Sequence, residues 1–326
     1  MPFLLLTVGI GLLLVGGTAL VRGASGIARR FNVPPMVIGL TVVAFGTSTP
    51  ELVVNVTGAL QGETELAFGN AVGSNLANFG LVLGIAAILS PIYLQGQVVR
   101  RELPFLLLVT AILMVMAADY TLSSTAPLLD RGDAIILLLL FSVFVYFMVR
   151  DVITEKDDPV LVEAEQFPPA VPEARSTGAS IWQVVLVLAG LAMLTYGGQL
   201  TIEQGSIIAE ILRVPEVVVG IFIVAVGTSL PELVTSAIAA YNKETDLALG
   251  NIVGSNIFNS LVVLPAAGII APLPIPEGGA LDLAMGFIFV LVMIPLFIAR
   301  NARLGRKEGL ALLGTYVAYL VYRFSA

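Results

Sequence analysis

Ten long apolar stretches limit the possible folds of this chain more than any other sequence feature. A membrane-spanning helix needs about 20 mostly apolar residues, and the predicted spans are 3–21, 34–60, 66–91, 103–118, 127–149, 180–199, 214–240, 247–271, 280–299 and 309–322. Only 12% of the residues are charged, about half the share that soluble domains carry. The sequence therefore predicts an all-α membrane protein with ten transmembrane helices in the lipid bilayer.

Two sequence motifs occur twice, and both pairs have the same offset of 181 residues. The segment at 46–53 reads GTSTPELV, and the segment at 227–234 reads GTSLPELV. The segment at 69–75 reads GNAVGSN, and the segment at 250–256 reads GNIVGSN. Chance does not place two motifs in one register, so the chain is predicted to consist of two duplicated halves.

The predicted domains are a first five-helix repeat at 1–150, an acidic, proline-containing linker at 151–179, and a second five-helix repeat at 180–326. With the N-terminus outside the cell membrane, thirteen of the 16 Lys and Arg residues fall in loops predicted to be inside. This bias follows the positive-inside rule and makes the linker cytoplasmic. The linker is too short to fold alone and lacks the spacing of an EF-hand loop, which disfavours a calcium-sensing role.

The odd number of spans in each half fixes the relation between the halves. After five spans, the second half enters the membrane from the opposite side, so the repeats are inverted. Secondary transporters often place their substrate site near the midplane, where broken helices of two such repeats meet. We therefore expect the duplicated motifs to meet in the middle of the membrane.

The absence of Cys and His narrows the chemistry that these motifs can perform. Without them, the chain has no thiolate nucleophile and lacks the commonest ligand for transition metals. A cation site must use oxygen atoms, which suit calcium, magnesium and sodium. An intramembrane hydrolase is disfavoured for the same reason, and the sequence implies no enzyme, cofactor, nucleic-acid partner or protein partner.

Glu51 and Glu232 occupy equivalent positions in the first motif. An ionised carboxylate in the bilayer interior costs about 3 kcal/mol on insertion scales. No Lys or Arg lies within 34–60, 66–91, 214–240 or 247–271, so these four spans offer no ion pair. Two carboxylates that balance one divalent cation are the favoured interpretation; the alternative is a pair of protonated carboxyl groups that form hydrogen bonds.

Pro50 and Pro231 directly precede the two glutamates. Proline removes a helical hydrogen bond, and a carbonyl left free in the membrane needs a new partner. We expect local unwinding that offers carbonyl or hydroxyl oxygens near each glutamate. The candidate residues are Ala44, Thr47, Ser48, Ala225, Thr228 and Ser229.

The second motif adds a serine and an asparagine to each half. Ser74 and Asn78 are four residues apart, as are Ser255 and Asn259, so each pair shares one helix face. Ion coordination by the asparagines is favoured over interhelical hydrogen bonding. The glycines of this motif form small-xxx-small patterns, which favour close helix packing. An Asn-x-Thr sequon at Asn55 lies within a span and is interpreted as chance.

The doubled motifs resemble the alpha-repeats of the cation/calcium antiporter superfamily, and the chain looks like a prokaryotic sodium/calcium exchanger. The resemblance covers essentially the whole chain. It implies a diamond of ion sites that calcium and sodium share, formed by Glu51, Glu232, Ala44, Thr47, Ser48, Ser74, Asn78, Ala225, Thr228, Ser229, Ser255 and Asn259. Asn259 stands where potassium-dependent relatives carry Asp, which argues against potassium dependence.

The first motif also bears on the coupling ion. Proton-coupled members of the superfamily usually carry Gly-Asn-x-x-Glu at this position, so the motif here favours sodium. A proton/calcium antiporter on the same fold is the main alternative, and a passive cation channel is a further one. In the favoured interpretation, the first and sixth spans, with glycine pairs at 16–17 and 197–198, slide past the core as a gate.

Overall fold

The computed structural model describes residues 1–93, 101–118, 127–154, 177–212, 227–299 and 303–325. Within these ranges the chain is almost entirely helical, apart from four strands of two residues each. Three five-residue segments within these ranges form wider π-helical turns, each continuous with α-helix on both sides.

The elements of the first half alternate long helices with short broken ones. In chain order they are α1 (Pro2–Phe31), α2 (Pro35–Ile38), π1 (Gly39–Val43), α3 (Ala44–Thr47), α4 (Thr49–Gln61), α5 (Thr64–Ala77), π2 (Asn78–Val82), α6 (Leu83–Leu89), β1 (Ile92–Tyr93), α7 (Leu103–Met116), β2 (Leu128–Leu129) and α8 (Arg131–Thr154).

The second half repeats this order where it is described. Its elements are α9 (Thr177–Ile211), α10 (Leu230–Tyr241), α11 (Thr245–Phe258), π3 (Asn259–Val263), α12 (Leu264–Ile270), β3 (Leu273–Pro274), α13 (Gly279–Ala299), β4 (Arg303–Leu304) and α14 (Arg306–Ser325). Most of the predicted linker, residues 155–176, lies outside the described residues, as does the start of the predicted seventh span. Helices α8 and α9 extend a few residues into the two ends of that linker.

The duplication is visible in the backbone. The bounds of α5, π2 and α6 reappear in α11, π3 and α12 with the same offset of 181 residues that relates the motifs. Ser48 has φ −87° and ψ 7°, and the equivalent Ser229 has φ −85° and ψ 8°. The two halves are therefore copies of one structural unit as well as of one sequence.

Five helical stretches are long and apolar enough to cross a membrane within the described part of the chain. A further pair, Pro35–Thr47 and Thr49–Gln61, is bent by 42° and makes a sixth span if it is counted as one. The prediction of ten spans remains a prediction. Helices α1 and α9 are longer than the predicted spans 3–21 and 180–199, because helical hydrogen bonds continue through polar residues that end an apolar run.

Helices α1 and α9 pack closely against each other through glycines. A Cβ on Gly16 would lie 2.9 Å from the carbonyl oxygen of Gly190, and one on Gly197 would lie 2.9 Å from that of Gly9. The two contacts are equivalent under the 181-residue offset. Small residues at such positions let helix backbones approach in a membrane, so α1 and α9 form one closely packed pair.

The glycines of the second motif differ between the halves. A Cβ on Gly250 would lie 2.6 Å from the carbonyl oxygen of Met36, and one on Gly254 would lie 2.6 Å from that of Leu40. This confirms the predicted close packing for the second half. No described atom lies within 4 Å of a Cβ on Gly69 or Gly73, and the segment equivalent to 36–40 falls outside the described residues.

Two short antiparallel strand pairs connect distant parts of the chain. Strand β1 pairs with β4, and β2 pairs with β3. The guanidinium group of Arg131 also donates to the carbonyl oxygens of Ile269 and Ile270. These contacts tie the ends of helices from the two halves together around the buried centre.

Candidate functional site

A break in the helix brings each glutamate into the centre of the protein. Helix α3 ends at Thr47, Ser48 leaves helical geometry, and α4 begins at Thr49 with a proline in its first turn. Proline suits this position because the first N–H groups of a helix have no intrahelical partner. Glu51 follows in the first turn of α4, where the positive end of the helix dipole stabilises a carboxylate. Glu232 has the same place in α10.

The two glutamates are completely buried and lie near each other. Glu51 and Glu232 both have 0% relative exposure, and Ser48, three residues before Glu51, donates to Glu232 Oε1 at 2.9 Å. The structure thus brings together two side chains that are 181 residues apart in sequence. The duplicated motifs therefore meet in the described structure, and their position at the middle of the membrane stays a prediction.

Hydroxyl groups from the first half contact Glu232 and the neighbouring helix α11. Ser48 Oγ donates a hydrogen bond of 2.9 Å to Glu232 Oε1. Thr47 Oγ1 lies 3.1 Å from Asn251 Oδ1 and 3.3 Å from the Ala44 carbonyl oxygen. A hydroxyl that donates its proton away from the carboxylates keeps its lone pairs available, so Thr47 can still act as an oxygen ligand.

The corresponding hydroxyls of the second half contact a serine instead of a carboxylate. Ser229 Oγ lies 3.3 Å from Ser74 Oγ, and Thr228 Oγ1 lies 3.5 Å from the same atom. Ser48 bonds to Glu232, whereas the equivalent Ser229 bonds to Ser74. Equivalent residues of the two halves therefore form different hydrogen bonds at the site.

Asn78 and Asn259 are the first residues of the π-helical turns π2 and π3. A π turn widens the helix locally and is frequent at functional sites. Both asparagines are buried, with relative exposures of 1% and 0%. The sequence predicted these residues as ligands but gave no indication of the wide turns.

Six buried oxygen atoms of the predicted ligands have no hydrogen-bond partner among the described residues. They are both carboxylate oxygens of Glu51, Oε2 of Glu232, the amide oxygens of Asn78 and Asn259, and Oγ of Ser255. Folded proteins pair more than 90% of such groups. Calcium takes six to eight oxygen ligands, so these atoms are of the type that a hard cation binds.

The two alanines predicted as carbonyl ligands have different outcomes. The carbonyl oxygen of Ala44 accepts a hydrogen bond of 3.0 Å from the backbone N–H of Ser48, so the expected local unwinding does not leave it without a partner. A carbonyl oxygen has a second lone pair, which remains compatible with a ligand role. Ala225 lies outside the described residues.

No group of three or more Asp, Glu, His or Cys side chains forms a metal-binding cluster within the described ranges. The candidate site therefore depends on two carboxylates and a set of neutral oxygens. Two negative charges match one divalent cation, and the neutral oxygens suit sodium as well as calcium.

A second layer of polar residues supports the site, and the sequence interpretation did not assign it a role. Asn251 accepts from Thr47 and donates to Ser236 Oγ at 2.9 Å. In the first half, Asn70 donates to Asn55 Oδ1 at 2.7 Å. Asn70 and Asn251 belong to the duplicated motif, so their repetition was the available signal.

Asn55 confirms that the sequon is a chance match. Its side chain is 0% exposed, donates to the carbonyl oxygen of Ala67 and accepts from Asn70. A side chain held in this way inside the helix bundle is not a surface glycosylation site.

Comparison with known families places the chain in a class of membrane transporters. The model of the family "Sodium/calcium exchanger protein" matches residues 1–150 and 182–325. The chain belongs to this family, and it is a transmembrane antiporter of the cation/calcium type.

Individual relatives match over nearly the whole length. The protein CaxA of Alkalimonas amylolytica, named only provisionally as an antiporter, is 39% identical over 98% of this chain and 97% of its own. The inner membrane protein YrbG of Escherichia coli is 32% identical over 97% and 94%. The sodium/calcium exchanger MaX1 of Methanosarcina acetivorans is 31% identical over 99% and 98%.

Solved structures show the same architecture. The sodium-calcium exchanger NCX_Mj, soaked with sodium and strontium, matches with a TM-score of 0.82 at 29% identity. The match covers 98% of this chain and 97% of that one. The chain therefore has the fold of a prokaryotic sodium/calcium exchanger.

Proposed function

We propose that this protein exchanges sodium for calcium across the cell membrane at a site around Glu51 and Glu232. The main support is the set of six unpartnered buried oxygens described above. A buried polar atom without a partner costs about 1–3 kcal/mol, and all six belong to the duplicated motifs or to the π turns that follow them. A cation that visits the site during transport would be a partner for these oxygens.

Charge favours calcium and sodium as competing substrates. One calcium ion neutralises both carboxylates, and the four spans that carry the motifs contain no Lys or Arg that could do so. Sodium ions that bind the same carboxylates would displace calcium, because two negative charges cannot balance calcium and sodium together. Competition for shared ligands is the physical basis of exchange in this proposal.

The proposed topology has ten spans in two inverted repeats, with the N-terminus outside and the linker inside. Three described contacts support it by joining segments that this topology places on one side. Strands β1 and β4 are both in loops predicted to be inside, β3 is in a loop predicted to be outside, and its partner β2 lies at the outer end of the predicted span 127–149. Arg29 and Glu244, which form an ion pair of 3.4 Å, are both inside.

The relatives add support for the location and for the domain division. YrbG is named an inner membrane protein, which favours the cell membrane here. The family model matches residues on both sides of the proposed linker at 151–179, as expected if it joins two repeats at 1–150 and 180–326.

Unequal packing of the two gate helices supports alternating access. A Cβ on Gly17 of α1 would lie 2.8 Å from Ile238 Cδ1 in α10. At the equivalent Gly198 of α9, the nearest described atoms belong to Pro231, at 3.8 Å. In alternating access, the site opens to one side of the membrane at a time, so equivalent helices of the two halves make different contacts in any one state.

Sodium is the proposed coupling ion, and a proton is the alternative. The motif at 46–53 favours sodium, and the relative MaX1 is named a sodium/calcium exchanger. A proton could be carried by Glu51 and Glu232 themselves.

Calcium-45 uptake into proteoliposomes distinguishes the two coupling ions. Vesicles that contain the purified protein are loaded with sodium and diluted into choline, and sodium-free vesicles with a pH gradient are measured in parallel. We expect uptake only with the sodium gradient. Uptake with the pH gradient alone would replace the proposal with a proton/calcium antiporter, and uptake without either gradient would indicate a passive channel.

A further inference from the structure

Asn75 and Asn256, the last residues of the second motif in each half, are not among the proposed ion ligands. Each of them contacts the π turn of the opposite half. Asn75 Nδ2 donates to Ser260 Oγ at 2.9 Å, and Asn256 Oδ1 accepts from Asn78 Nδ2 at 3.5 Å. These asparagines therefore link the helix of one repeat to the ion-binding turn of the other.

Each asparagine also has one buried atom left without a partner. These atoms are Asn75 Oδ1, an acceptor, and Asn256 Nδ2, a donor, and neither has a hydrogen-bond partner within the part of the chain that the structure describes. Under the 181-residue offset, Asn256 is equivalent to Asn75, and Phe79 is equivalent to Ser260. Phe79 has no hydroxyl group, so Asn256 cannot form the hydrogen bond that Asn75 forms with Ser260. One water molecule can donate to Asn75 Oδ1 and accept from Asn256 Nδ2 at the same time.

A cavity lies beside these two asparagines, between α5, α7, α11 and α13. It offers about 20 Å³ to the centre of a water-sized sphere, and its lining includes Asn75, Asn256, Ser260 and Thr110. A water molecule needs about 10–15 Å³ measured in this way, together with two to four polar partners. The cavity meets both conditions for one water molecule.

The charge of the lining favours neutral water over a cation. Asp282 is the acidic residue in the lining, and its Oδ1 accepts hydrogen bonds from Tyr319 Oη and, at 3.4 Å, from Arg323. The negative charge of Asp282 is therefore already balanced by Arg323, and it does not call for a second cation in the cavity.

We propose that this cavity is a structural water site that fixes one corner of the ion site. Water bonded to Asn256 Nδ2 and Asn75 Oδ1 would hold Asn256 so that its Oδ1 keeps accepting from Asn78 Nδ2. That contact turns Asn78 Oδ1, which is unpartnered among the described atoms, toward the cation. The effect on Asn78 rests on the proposed function, whereas the water site itself does not.

Gly286 allows the cavity to be filled without removing a polar group. It lines the cavity, and a Cβ there would meet only Leu76 Cδ2, at 3.8 Å. Gly286→Val extends further into the space, and Gly286→Ala is the milder variant. Gly314→Val is the matched control, because no described atom lies within 4 Å of a Cβ at that helical position.

Radiolytic hydroxyl-radical labelling tests the water site directly, because buried side chains are labelled only where water lies next to them. Phe79 lines the cavity and is 2% exposed. We expect labelling of Phe79 in the wild type and Gly314→Val, less in Gly286→Ala, and none in Gly286→Val. Unlabelled Phe79 in a wild-type sample whose exposed Tyr241, the last residue of α10, is labelled would overturn the proposal, as would undiminished labelling in Gly286→Val.

Calcium affinity tests the effect on Asn78. We expect Gly286→Val and Asn256→Leu to weaken calcium binding about fivefold, the equivalent of one hydrogen bond, and Gly314→Val to leave it unchanged. Wild-type affinity in a Gly286→Val protein that has lost the Phe79 label would refute the assigned role. Failure of wild-type protein to exchange sodium for calcium would instead refute the proposed function and leave the labelling result intact.

Discussion

Gly16→Ala should weaken the contact between α1 and α9, the two helices proposed to move as a gate. The added Cβ would lie 2.8 Å from Met193 Cβ, 2.9 Å from the Gly190 carbonyl oxygen and 3.0 Å from the Leu194 nitrogen. Two of these three atoms belong to the backbone and cannot rotate away. The helices must therefore move apart to accept the methyl group.

The expected cost follows from this geometry. Inserting a methyl group into a well-packed contact destabilises by about 1–3 kcal/mol. Replacing Gly by Ala within a helix stabilises by about 0.5–1 kcal/mol, because Ala has the higher helix propensity. The midpoints of these two ranges give a net loss of about 1 kcal/mol for Gly16→Ala. Gly11→Ala, in the same helix, has no described atom within 4 Å of the new Cβ and should stabilise by about 0.5–1 kcal/mol.

Thermal unfolding of the purified protein in detergent measures both variants. The single Trp, Trp182 in α9, reports on the helix that loses the contact. The two alanine variants should shift the midpoint in opposite directions. A Gly16→Ala protein as stable as the wild type, or a Gly11→Ala protein destabilised to the same degree, would refute the close-packing argument.

Further substitutions test local features of the two halves by thermal unfolding. Gly62 and its equivalent Lys243 both have positive φ, 84° and 65°. Residues with a side chain are strained in this conformation, so Gly62→Ala should destabilise the protein and Lys243→Gly should stabilise it, each by about 1 kcal/mol. A shift in the reverse direction for either variant would contradict this reasoning. Asn251→Leu leaves the hydroxyls of Thr47 and Ser236 without their partner and should cost about 2–4 kcal/mol. Ser236→Ala removes one of these two hydrogen bonds and should cost about 1–2 kcal/mol; a loss equal to that of Asn251→Leu would exclude this hydrogen-bonding role.

The duplicated motifs allowed much of the site to be predicted, because the constraints are local and occur twice. Proline before Glu51 predicted a broken helix, and the structure has the break at Ser48 in one half and at Ser229 in the other. The polar residues within apolar spans had to face the interior, since lipid cannot satisfy them.

Features that depend on tertiary contacts were not predictable. Nothing in the local sequence distinguishes a π turn at Asn78 from an ordinary helical turn, because the wide turn is set by what packs around it. The contacts of Asn251 join it to Ser236, 15 residues away, and to Thr47, 204 residues away. The Ala44 carbonyl oxygen, expected to lie in locally unwound backbone, accepts from the Ser48 N–H.

The most direct test of the account is sodium-driven calcium-45 uptake by Glu51→Gln and Glu232→Gln in proteoliposomes. Gln keeps the shape of the side chain but removes one of the two charges that balance calcium. Glu65→Gln, which changes an exposed residue in the first turn of α5, is the control for the same chemical change. We predict uptake at the vesicle background for the two buried variants and wild-type uptake for the control. Sodium-driven uptake that survives in either buried variant would contradict a site built on this pair of carboxylates.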